Sequence, residues 1–237
     1  MILWVFTGYC NIPFGDFASL RTFFELASVL LIVVVPCVTM KIRLQGMALR
    51  KFQAVWSVLA LAIVPTIVYA VSLNIISRDG IDAGMIACGY IGLLLVAATF
   101  SAVDIFCASS VKNKFVACLI GIVSNAIIYY GFDYISAMLT GNLHGGISLW
   151  GIFSHYSALV RGVVSYGDIL YFISVTFLFL WLALLSNNNN KVKLWRDLAF
   201  IAMLVIVNIL SNIYICPWDV TTDKRNTLRP QTCRLIR

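Results

Sequence analysis

The chain has 237 residues, 61% of them apolar and 11% charged, with a mean hydropathy of +0.94 and a formal net charge of +7. Such a composition excludes an ordinary soluble globular domain and makes the hydrocarbon core of a bilayer the expected solvent. The positive balance sits in alternate loops between apolar stretches, so it reads as a topology signal and calls for no nucleic-acid partner.

A helix needs about 20 consecutive apolar residues to cross a bilayer, because every backbone N–H and C=O must be satisfied within the segment. The opening Met1–Thr7 (MILWVFT) is apolar but too short, and reads as the outer end of a helix whose earlier part is missing. Six later stretches are long enough: Phe23–Met40, Ala54–Leu73, Met85–Phe106, Phe115–Leu139, Ile169–Leu185 and Leu198–Cys216. The expected fold class is therefore all-α, a polytopic transmembrane bundle of about six membrane-spanning helices. Turn formers and charges fall between the spans, leaving little room for a sheet.

The long loop 140–168 carries Ile147, Leu149, Trp150, Ile152, Phe153, Tyr156, Leu159 and Val160 near helical spacing, with Ser148, Ser154, His155 and Arg161 between them. This pattern predicts a helix in the membrane interface with its rings at headgroup depth. A re-entrant or partly buried loop is the alternative. The run Asn187–Asn190 reads as a polar linker, dividing residues 1–186 from a last unit, 187–237, with its own basic flank and polar tail.

Loops one, three and five carry Lys41, Arg43, Arg50, Lys51, Lys112, Lys114, Lys191, Lys193 and Arg196, whereas the other side carries only Arg21, Arg78 and Arg161. The positive-inside rule makes the first set cytoplasmic and puts both ends of the chain outside.

Polar groups inside spans are costly and mark functional candidates. Here they are Glu25, Asp104, Asn125 and Asp133. Glu25 and Asp133 lie near outer helix ends and read as solvated. Asp104, near the cytoplasmic end of its span, reads as a partner for Lys112 or Lys114, and Asn125 as an interhelical hydrogen-bonding group. Pro36 and Pro65 predict kinks. The cysteines within spans show no CxxC or Cys/His spacing and read as packing residues. His144 and His155 share one loop, and there is no GxxxxGK[ST] phosphate loop. No catalytic, cofactor-binding or metal-ligating set can be assembled, so an enzyme is not expected.

Several stretches are similar to one family: Tyr9–Phe24 (YCNIPFGDFASLRTFF), Pro36–Met40 (PCVTM), Gly89–Phe100 (GYIGLLLVAATF), Phe106–Val111 (FCASSV), Tyr129–Asp133 (YYGFD) and Arg161–Phe172 (RGVVSYGDILYF). In that order they resemble the ABC-2 type permease of the gliding-motility-associated ABC transporter of Bacteroidetes. After the asparagine run, one helix followed by Asp219–Leu228 (DVTTDKRNTL) looks like the membrane anchor of that transporter's auxiliary extracytoplasmic component.

The resemblance implies an inner-membrane exporter subunit with a periplasmic C-terminus, a second permease copy as dimer partner, and a separate ATPase subunit that hydrolyses ATP. Lys41, Arg43, Arg50 and Lys51 would line the loop that meets the ATPase. Two departures stand out: the first helix is incomplete, and the family's cytoplasmic EEKKxGT-like stretch is replaced by the short KIRLQGMALRKFQ. These departures favour the rival expectation, a membrane scaffold or truncated permease that does not transport.

Overall fold

The computed structural model describes residues 20–42, 48–76, 82–111, 113–138, 150–186, 203, 204, 206 and 218–221. Among them are five helices long and apolar enough to cross a membrane. These are α1 (Arg21–Lys41), α2 (Ala48–Ile76), α3 (Ala83–Ser110), α4 (Lys114–Met138) and α6 (Tyr166–Ser186), with the short α5 (Ile152–Val160) before the last. Each long helix contains most of one predicted span, and the fold is an all-α membrane bundle. The sixth span, Leu198–Cys216, lies outside the described residues apart from 203, 204 and 206, which are helical. Met1–Thr7, Arg43, Lys112, His144 and the asparagine run lie outside them as well.

Polar side chains cap the starts of α3, α4 and α6. Asp82 caps α3, its Oδ1 accepting the N–H groups of Gly84 at 3.0 Å and Met85 at 3.3 Å. Asn113 Oδ1 accepts the Phe115 N–H at 3.0 Å before α4. At α6, Ser165 Oγ accepts from the Gly167 N–H while Asp168 Oδ2 accepts from the Ser165 N–H. This reciprocal cap starts α6 at Tyr166, three residues before the predicted Ile169.

The third helix is the hub. It packs against α1, α2, α4, α5 and α6, and 67% of its apolar window is buried against 17% to 39% in the other spans. Small residues let the neighbours in. A methyl on Gly89 would come within 2.5 Å of the Phe24 ring of α1, and one on Gly92 within 3.2 Å of Tyr156 on α5. Outward faces stay apolar, with Leu61 71%, Val68 68% and Phe115 66% exposed, as a lipid-facing surface requires.

The short helix predicted in this loop exists as α5. Its Ile152, His155, Tyr156, Leu159 and Val160 are all buried, and it is lodged against α3, α4 and α6. On this covered face His155 and Tyr156 find hydrogen-bond partners in protein.

Past α5 the chain turns at Gly162, whose φ of +81° belongs to the left-handed region that glycine adopts freely. Val163–Val164 (β1) then pairs antiparallel with Trp218–Asp219 (β2), Val163 opposite Asp219 and Val164 opposite Trp218. The Val220 N–H donates to the Gly162 carbonyl at 3.0 Å, and Thr221 is buried. This clasp lies at the end of the bundle where α3 and α6 begin.

Candidate functional site

Polar groups collect inside the bundle at two levels. At the end where α6 begins, His155 Nδ1 is 2.6 Å from Asp168 Oδ1, and the imidazole stacks on the Tyr171 ring with centroids 4.1 Å apart. The Tyr171 hydroxyl donates to the Trp150 carbonyl at 2.6 Å, and the Tyr156 hydroxyl donates to the Phe24 carbonyl at 2.8 Å. Burial pushes the Tyr156 phenol above its ordinary value. Beside this cluster, Ser28 and Tyr129 share a hydrogen bond of 2.7 Å between α1 and α4. Together these bonds tie α5 to α1 and α6, and α1 to α4.

A buried His–Asp pair is also the orienting half of a hydrolytic triad. Here the hydroxyls on the same helix turn elsewhere: Ser154 donates to the Gly151 carbonyl at 2.8 Å and Ser157 to the Ser154 carbonyl at 2.9 Å. The pair links α5 to the start of α6.

Asp133, expected as a solvated helix end, is instead partly enclosed, because its Oδ2 is buried without a partner and faces Gly151. A side chain on Gly151 would come within 2.7 Å of that oxygen. Glu25 keeps the expected exposed character, pairing with Arg21 at 2.9 Å one turn before it.

The second level lies about 9 Å inside the far end of α3, six residues before Ser110. Here Asn125 Nδ2 donates to Asp104 Oδ1 at 3.1 Å. Asp104 is 3% and Asn125 0% exposed. A methyl on Gly121 would lie 2.5 Å from Asp104 Oδ1 and 3.4 Å from Pro36 Cβ, so the carboxylate sits over bare backbone where α1, α3 and α4 meet. The expected pairing of Asp104 with Lys114 is not formed: its partner is Asn125, and Lys112 lies outside the described residues. The reason is geometric, since Asp104 points into the bundle while Lys114 is exposed at the start of α4.

Of the expected ATPase-facing residues, Lys41 closes α1 and Arg50 and Lys51 open α2, at the end of the bundle opposite α5. Spacing alone did not bring Asp104 to Asn125 or His155 to Asp168. A signal for Asp168 did exist, because Ser165-x-x-Asp168 before an apolar run is a capping-box pattern.

Comparison with known proteins finds no matching family model, no matching curated protein and no matching solved structure. What the architecture establishes is a multi-pass, helical membrane protein whose surroundings are a lipid bilayer.

Proposed function

We propose that the chain is the membrane-spanning subunit of an ABC-2 type transporter, exporting a substrate with energy from a separate ATPase subunit. The observation that supports this reading is where the permease-like stretches fall. PCVTM forms the last turns of α1, GYIGLLLVAATF lies in the hub α3, YYGFD forms the outer part of α4, and RGVVSYGDILYF runs through Gly162, β1 and the cap of α6. Of these stretches GYIGLLLVAATF is the one packed most fully against other helices.

On this reading two permease copies associate in a bacterial inner membrane. The ATPase docks at the end bearing Lys41, Arg50 and Lys51, and an extracytoplasmic component joins at the other end. The family's role in gliding motility comes with it. The short connection favours a second reading, a scaffold that anchors partners without transport: α1 ends at Lys41 and α2 begins at Ala48, leaving little chain to engage an ATPase.

The test is co-purification with an ABC ATPase from the same cells. A complex in mild detergent whose ATP turnover exceeds that of the ATPase alone supports transport. A complex without such a rise supports the scaffold, and the absence of any complex sinks both.

A further inference from the structure

Asp104 and Asn125 share one hydrogen bond, and it leaves two oxygens over. Asp104 Oδ2 and Asn125 Oδ1 are both buried and both without a hydrogen-bond partner. While the carboxyl is ionised each is an acceptor, so neither can satisfy the other. What the pair lacks is positive charge.

Among the described residues none is supplied. Gly121 of α4 lies against the carboxylate, with Pro36 of α1 beside it. The sixth helix, YGDILYFISVTFLFLWLALLS, has no basic residue along its length. Arg50 and Lys51 at the start of α2, like Lys114, make no ion pair with Asp104. Proline also has no N–H to offer the carbonyl one turn earlier, so Pro36 frees a further backbone oxygen on α1.

We propose that Asp104 and Asn125 form an intramembrane site for a monovalent cation, Asp104 Oδ2 supplying the counter-charge and Asn125 Oδ1 a neutral oxygen ligand. One carboxylate balances one positive charge, whereas a divalent ion would leave net charge in hydrocarbon. An all-oxygen donor pair suits a hard cation, and a sodium ion and a proton share that chemistry. The site does not depend on an ATPase partner, so it stands or falls apart from the transport reading.

The experiment uses the full chain purified in detergent and compares sodium chloride with choline chloride at constant ionic strength. If sodium is the occupant, the unfolding temperature rises by about 5 °C at saturation, and Asp104→Asn abolishes the rise. Sodium then also protects Asp104 from dicyclohexylcarbodiimide, read by mass spectrometry on the wild-type chain without any variant having to fold. If a proton is the occupant, sodium has no effect, and carbodiimide labels Asp104 to an extent that declines as the pH is raised. The proposal is overturned if the wild-type chain shows neither a sodium response nor labelling at Asp104, or if Asp104→Asn folds and keeps the full sodium response.

Discussion

The Asp168 carboxylate holds two elements at once: Oδ1 is 2.6 Å from His155 Nδ1 on α5, and Oδ2 accepts the Ser165 N–H that opens α6. Removing it with Asp168→Ala breaks both contacts and is expected to cost about 3 kcal/mol. His155→Ala loses the tie and the stack on Tyr171, and is expected to cost about 2 kcal/mol. Because the two changes remove one shared bond, the double variant should lose clearly less than the sum, by about 1 kcal/mol or more. Denaturant unfolding in detergent measures the cycle, and strict additivity would show that the pair is not coupled.

Tyr156 donates to the Phe24 carbonyl from a buried position. Tyr156→Phe keeps the ring and deletes the donor, with an expected loss of about 1 kcal/mol. The same residue predicts a pH effect. Burial raises its value in the folded state, so above the ordinary phenol range the unfolded chain releases a proton that the folded chain retains. Stability should therefore fall as the pH climbs past about 10. In Tyr156→Phe that alkaline slope should be shallower, as pH-dependent thermal unfolding would reveal.

Two glycines of α4 should respond in opposite ways to alanine. At Gly121 a methyl would lie 2.5 Å from Asp104 Oδ1, forcing the carboxylate off Asn125. At Gly131 the nearest atom is Ile127 Cγ2 at 3.4 Å, on the same helix. Gly121→Ala is expected to destabilise by about 1–3 kcal/mol, and Gly131→Ala to be neutral or to stabilise by up to about 1 kcal/mol. A matched pair of melting curves decides it.

Gly162 combines a positive φ with a close neighbour, since an added methyl would lie 2.6 Å from Thr221 Cγ2. Gly162→Ala should open the clasp at a cost of about 1–2 kcal/mol. Protease cleavage after residue 218 should become faster while the five spans stay folded. Unchanged cleavage would mean that the clasp does not protect this segment.

Basic loops predict the orientation in the membrane. Cys10 and Cys233 should react with an impermeant maleimide added to intact cells, whereas Lys41 and Lys114, each changed to Cys in a chain without its native cysteines, should not. Protection of both Cys10 and Cys233 would reverse the orientation.

The spans were legible because long apolar runs have few alternatives, and each of the five described matches a predicted stretch. The α5 helix was legible as a periodic pattern, though not its burial. Periodicity reports which residues share a face; it does not report whether lipid or protein covers that face. Asp104 and Asn125 were each conspicuous as polar residues in apolar runs, yet they lie 21 residues apart on successive helices, and only the packing of α3 on α4 brings them together. The case of Asp168 differs, because its capping pattern was written in the chain and fixes the start of α6.

The pairing of β1 with β2 also imposes an order on biogenesis. Val163 and Val164 leave the ribosome more than fifty residues before Trp218 and Asp219. Until the later strand arrives at the same end of the bundle, α5 and the start of α6 are held by helix contacts and by the hydrogen bonds of His155, Tyr156 and Tyr171. The clasp is thus a late checkpoint: a chain in which it has closed has already brought residues 218–221 to the end where α6 begins.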